Sequence, residues 1–235
     1  MIKIGNFLFH YRNSLFPLFY LALFIPAPNI FSGFYTHLIL GLIIVLLGQT
    51  VRIITIGLVY IIRGGRNRQI YAEDLVNEGI FSHCRNPLYL GNILELLGLG
   101  IMSNSLLFIA IVFPLFLFFY QAIVLAEEDF LYKKFGEKFT EYLKNVNRWI
   151  PRLNGIIKTM KSMEFKWRRV LIKEYNATFM WTVAAVLLIL KNYHSYFPNQ
   201  NFNSNLPYFL LVILFLIICY AVIRYLKKSG KVVGN

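Results

Sequence analysis

Three stretches of this 235-residue chain carry residue types whose spacing could do chemistry. The first runs Glu73-Asp74-Leu75-Val76-Asn77-Glu78-Gly79-Ile80-Phe81 and resumes as Arg85-Asn86-Pro87-Leu88-Tyr89-Leu90-Gly91-Asn92. The second is Ala126-Glu127-Glu128-Asp129, and the third runs from Leu131 to Tyr142 and closes with Val146-Asn147-Arg148-Trp149-Ile150-Pro151. Consecutive carboxylates in a basic neighbourhood can hold a cation or the hydroxyls of a sugar. Each stretch also has a plainer reading. Asn-Pro ahead of an apolar run is a helix start, with Asn86 as N-cap and Pro87 at the first helical position. Three acids in a row make a solvated helix face, and an aromatic-studded amphipathic helix followed by Arg-x-x-Pro docks at an interface. Taken singly, none of the three decides between binding and architecture.

The elements that must position these residues are apolar. The chain is 57% hydrophobic and 15% charged, with a mean hydropathy of +0.57, against about half and about one quarter in a soluble domain. That excludes a soluble domain, a disordered chain and a collagen-like repeat. Cys84 and Cys219 stand too far apart for a zinc spacing or a disulfide framework. Runs long or apolar enough to serve as membrane helices occur at Ser14–Phe31, Thr36–Ile62, Pro87–Met102, Leu106–Leu125, Asn176–Leu190 and Pro207–Tyr225. The expected fold class is therefore all-α, a polytopic bundle of about six spans, with the third and fourth runs forming a tight helical hairpin across Asn104–Ser105. Residues 1–62 read as N-terminal membrane helices and 63–152 as a chemically rich core. Residues 153–235 read as a basic interfacial segment followed by two more spans.

The net charge of +13 is explained by position. Of 24 Lys and Arg residues, all but Arg52 and Lys191 fall in alternate polar segments, which the positive-inside rule makes cytoplasmic together with both termini. This argues against nucleic acid as a partner and for the bilayer. A cleaved signal peptide over residues 1–31 is the competing reading, disfavoured by the lack of a small-x-small site.

In this order and spacing, Gly-Ile-Phe-x-x-x-Arg-Asn-Pro-x-Tyr-Leu-Gly, a hydrophobic hairpin, Glu-Glu-x-x-Leu-x-x-x-Phe-Gly-x-x-Phe-x-x-Tyr and Arg-x-x-Pro resemble the isoprenylcysteine carboxyl methyltransferase and phospholipid methyltransferase superfamily. The likeness covers about Glu73–Pro151. It implies an integral-membrane methyltransferase that uses S-adenosylmethionine without a Rossmann domain, and the chain has no Gly-x-Gly-x-x-Gly. The resemblance assigns the cofactor to Glu73, Asp74, Leu75, Val76, Phe81, Asn86, Pro87, Leu88, Tyr89 and Glu127, with Glu128 beside it. The carboxyl methyltransferases usually carry His where this chain has Asn86. They also carry a substrate-contacting Arg four residues before the cofactor-binding Glu, where this chain has Ile123. A carboxylate acceptor loses that bidentate partner, so a lipid headgroup phosphate or amine stands beside an isoprenylcysteine-type carboxylate as acceptor.

Ionisable groups inside spans are costly and often functional. Arg52, one turn after Gln49, and Glu95 are the two such residues here. They form either a structural pair between helices or part of the catalytic machinery, Arg52 then serving as anion partner for the acceptor. Among the histidines only His83 lies near the motif. Two other functions fit the composition: a reductase of polycyclic lipids, which shares a related core but lacks an NADPH signature here, and a small transporter or scaffold, for which two intramembrane charges are few.

Overall fold

The computed structural model describes residues 1–59, 68–197 and 202–232. Six long helices dominate: α1 (Ile2–Ala22), α2 (Phe34–Leu58), α3 (Pro87–Met102), α4 (Phe113–Phe135, entered through a π turn at Phe108–Val112), α7 (Trp167–Tyr196) and α8 (Phe202–Lys228). Two short helices, α5 (Glu137–Asn145) and α6 (Ile156–Lys161), and a 3-10 turn at Gly79–Ser82 complete the set. This is the expected helical membrane bundle.

Three helical runs, Phe34–Leu58, Phe108–Phe135 and Asn205–Lys228, are long and apolar enough to cross a membrane, and α3 is apolar but shorter. Several expected boundaries move, and the fourth run continues past Leu125 to Phe135. The first helix is Ile2–Ala22, not Ser14–Phe31: Pro17 is tolerated inside it, whereas Pro26 and Pro28 fall in the irregular stretch that follows. Asn176–Leu190 is the middle of a 30-residue helix that already begins at Trp167. Trp167–Tyr175 therefore belongs to α7 and not to a separate interfacial segment. The end of the second run at Ile62, and with it the boundary at 62–63, lies outside the described residues.

The expected hairpin is tight in sequence but its arms pack elsewhere: α3 lies along α2, and α4 lies along α1. Glycines seven residues apart explain the first pairing. A Cβ on Gly41 would meet the Gly98 carbonyl oxygen at 2.5 Å, and one on Gly48 would meet that of Gly91 at 2.7 Å. The two backbones thus touch at two levels, as small residues allow in lipid. Gly98→Val is expected to separate the helices and to cost about 1–3 kcal/mol, read as a fall in the midpoint of thermal unfolding in detergent. Ala122→Ser, whose added hydroxyl can bond within its own helix, should serve as a milder comparison at the α1–α4 contact, where Gly5 abuts Ala122 and Ala126.

One end of the bundle is closed by side chains that satisfy helix termini and an irregular loop. Buried Asn104, in the left-handed region at φ 53°, accepts from the Ile30 and Phe31 amides at 3.0 and 2.8 Å. Its amide donates to the Phe31 carbonyl and the Tyr196 hydroxyl. Lys191 reaches the Leu23 carbonyl at 3.2 Å, and Asn192 donates to the Met102 carbonyl at 2.8 Å. The opposite end gathers the start of α1, the end of α2, the start of α3, the end of α4 and the start of α7, and there the three motif stretches meet.

Candidate functional site

The loop from Ser82 to Asn86 is clasped to residues 147–152. The Arg85 amide donates to the Asn147 carbonyl at 3.0 Å and the Arg152 amide to the His83 carbonyl at 2.9 Å. The Asn86 side chain donates to the Arg148 carbonyl at 3.2 Å, so this residue ties the Asn-Pro corner to the Arg-x-x-Pro segment while Pro87 opens α3. Asn86 sits at the N-cap position without a capping side-chain bond. His83 is committed on both nitrogens, to the Arg152 carbonyl at 2.7 Å and the Thr159 hydroxyl at 2.9 Å. Cys84 is buried in the same clasp, and burial pushes its thiol above the ordinary range. Phe81 is buried too, and its carbonyl accepts from the Tyr142 hydroxyl at 2.7 Å. Burial raises that phenol, which keeps it a donor.

Glu128 is the electrostatic hub of this clasp. Arg148 grips it bidentately at 3.0 and 2.7 Å, and Arg85 reaches it at 3.0 Å. The hydrogen bonds to Glu128 hold the Arg148 guanidinium above its ordinary range. Trp149 adds a bond to Gln121 on α4 at 3.0 Å. The three stretches therefore come together because one carboxylate on α4 binds an arginine from each of the other two.

Glu127, one residue earlier, faces differently. The Tyr89 hydroxyl donates to its Oε1 at 2.6 Å, linking the first turn of α3 to the C-terminal half of α4. Its other oxygen has no hydrogen-bond partner among the described residues. The Tyr89 ring lies 4.9 Å from that of Tyr120, whose hydroxyl oxygen accepts from the Asn92 amide at 2.6 Å. Above this wall, Leu8 and Phe9 of α1 pack on Ala122 and Ile123, with Ile70 and Tyr89 against them. The chain from Ile70 to Leu75 then follows α4: Lys134 holds the Ala72 carbonyl, and Leu75 packs against the cluster of Phe139, Tyr142 and Val146. Glu73 and Asp74 are exposed on this stretch and Val76 is half-buried. Leu88 points the other way, into a cluster with Ile56 and Val170.

The structure thus unites Tyr89 with Glu127, lays Glu73–Val76 along the same end of α4, and gives Phe81, Asn86, Pro87 and Glu128 visible roles in holding the loops. Arg52 and Glu95 lie in a different cluster. The pair is present, Arg52 Nε to Glu95 Oε1 at 3.3 Å, but the guanidinium fork is filled by Glu174 at 2.7 and 3.0 Å. All three are buried. The stem of Arg52 fits because Gly91 has no side chain to occupy its path. Sequence reasoning missed Glu174, which it grouped with the basic interfacial segment. It also missed Arg12, which it counted as a flanking charge.

A helical membrane bundle with a carboxylate-bearing end defines the class of protein. Residues 36–138 match the family model described as phospholipid methyltransferase, so the resemblance read from the motifs holds over that segment. Two curated relatives match as well. The cobalt-zinc-cadmium resistance protein CzcN of Cupriavidus metallidurans is 40% identical over 82 residues, and the nickel-cobalt-cadmium resistance protein NccN of Alcaligenes xylosoxydans xylosoxydans is 35% identical over 83. Each match takes in 35% of this chain and 38% of the relative. No solved structure matches.

Proposed function

We propose that this protein is an S-adenosylmethionine-dependent methyltransferase acting on a lipid or lipidated acceptor at the inner face of the membrane. The observation that carries the reading is the Tyr89–Glu127 pair: a half-buried carboxylate, oriented through one oxygen and open at the other, beside a loop bearing two further carboxylates. These residues fit the donor. Glu127 can accept from the ribose hydroxyls or the amino group, Glu73 and Asp74 supply negative potential for a cation, Tyr89 offers an apolar wall for adenine, and the Ile70–Val76 backbone offers it hydrogen-bonding groups.

When bound, S-adenosylmethionine supplies a methyl group on a cationic sulfur. The chain's own contribution is positioning. Tyr89 fixes the Glu127 rotamer, and the Glu128–Arg85–Arg148 hub keeps the two loops in register. The surrounding apolar helices exclude water, which would otherwise stabilise separated charges and oppose a step that disperses them. An acceptor that is already anionic needs no general base, and none is assigned. Arg52 and Glu95, with Glu174, serve this chemistry by holding α2, α3 and α7 together beneath the site.

The cytoplasmic orientation rests on the basic residues gathered at the end that carries Glu127. Both relatives are named for resistance to metals. Methylating a headgroup oxyanion removes a hard ligand for divalent cations, so a protective role in the envelope is consistent with this chemistry. The test is binding and product: protein in lipid nanodiscs should bind S-adenosylmethionine by calorimetry, and incubation with total membrane lipid should yield species heavier by one methylene. Failure to bind the donor in lipid would overturn the reading.

A further inference from the structure

Arg12 does not flank a span; it lies half-way along α1, about 15 Å from the start of that helix. The register of α1 on α4 is set by contacts at several levels. Gly5 meets Ala122 and Ala126, Phe16 lies 5.2 Å from Tyr120, and Phe19 lies 5.0 Å from Phe116. Arg12 is therefore level with the residues just inward of Glu127. Helical side chains lean toward their own N-terminus, which carries the guanidinium back toward the Glu127 end. It lies within Coulombic reach of Tyr89, Tyr120 and Glu127.

Two other cations set within apolar helical stretches have partners. Arg52 is bound by two carboxylates, and Lys191 by the carbonyls of Leu23 and Ser103. Among the described residues Arg12 has no carboxylate within ion-pair distance; its one close partner is the ring of Phe9, 4.0 Å below the guanidinium. A guanidinium held over the Phe9 ring spends no N–H on that contact, so its donors remain available to an anion. Half-buried, with Glu127 in Coulombic reach but in no ion-pair contact, the guanidinium keeps donors for a second anion.

We propose that Arg12 is the anion-binding residue of this site and that it takes the oxyanion of a lipid acceptor, a phosphate or a carboxylate, in a bidentate grip. Glu127 and Arg12 then divide two oppositely charged ligands between them: the carboxylate holds the cationic donor and the guanidinium holds the anionic acceptor, with Tyr89 and Tyr120 as the wall between. This also answers the Ile123 departure, because the arginine absent from α4 is supplied by the helix packed against it. The choice of a methyl acceptor rests on the methyltransferase reading; the anion site rests on Arg12 alone.

The experiment separates the two. Native mass spectrometry of the full chain in mixed nanodiscs compares retention of dioleoyl phosphatidic acid with that of dioleoyl phosphatidylcholine, for wild type, Arg12→Gln and Arg12→Lys, with donor binding followed by calorimetry. The expected result is a preference of about tenfold for the acid in wild type, lost in R12Q and partly kept in R12K. Donor binding should be retained in R12Q, and inorganic phosphate should compete weakly. A preference that survives in R12Q would overturn the proposal. So would loss of donor binding in R12Q with the lipid preference intact, which would place the donor's own carboxylate on Arg12. Strong competition by inorganic phosphate would replace the lipid headgroup with a free ion and overturn it as well. If the lipid preference depends on Arg12 while wild type binds no donor, the anion site stands and the methyltransferase reading falls. R12K controls for folding, since it keeps the charge and the stem.

Discussion

Arg52→Ala is expected to cost about 3–5 kcal/mol and to leave little folded protein at ambient temperature. The guanidinium is buried at 3% exposure between Glu95 and Glu174, and each partner comes from a different helix. Removing the cation strands two carboxylates in an apolar interior, where water cannot reach them. Glu174→Ala should be nearly as damaging, because it takes away both short bonds to the fork. Thermal unfolding in nanodiscs reads these effects. Replacing the whole cluster by Arg52→Met, Glu95→Gln and Glu174→Leu should recover most of the loss, since well-packed apolar residues can replace a buried ionic cluster at little cost. Donor binding by that triple variant is the informative measurement: retention makes the triad architectural, and selective loss at normal stability would give Arg52 or Glu95 a direct part in the chemistry.

Glu127→Gln is expected to weaken S-adenosylmethionine binding by about tenfold to a hundredfold, the range for a charge-assisted hydrogen bond to a buried group. The amide keeps the size of the carboxylate and can still accept from Tyr89, so the fold should hold. Only the negative charge and one acceptor edge are lost. Tyr89→Phe should weaken binding by less, because it frees the carboxylate to rotate without removing it. The order of the two variants separates a binding carboxylate from a merely structural one. If Glu127→Gln bound the donor as wild type does, the site would have to be rebuilt around Glu73 and Asp74. Calorimetry with unfolding controls settles the comparison.

Much of this was legible in the chain before any coordinates. Apolar runs and basic clusters fixed a helical membrane protein and grouped its charges, because the bilayer demands helices and its surface sorts Lys and Arg. The motif order pointed to a methyltransferase-like segment at Glu73–Pro151, of which residues 73–138 fall within the family match. Local signals also placed the start of α3 at Pro87, where a missing amide costs nothing. Glycines seven residues apart on α2 and α3 were visible too, but their spacing does not say which helices it joins.

What the sequence determined by itself was thus the solvent, the element type and the residues able to do chemistry. Partners were decided only in three dimensions. Adjacent Glu127 and Glu128 look alike in the chain, yet a rotation of about 100° about the helix axis turns one to Tyr89 and the other to Arg85 and Arg148. Glu174 reads as one acid among basic residues until α7 brings it to Arg52, 122 positions away. Arg12 reads as a flanking charge until the packing of α1 on α4 sets it level with the site. Helix periodicity fixes which residues share a face; which face meets which depends on shape complementarity among helices far apart in sequence, and that information lies in no single segment.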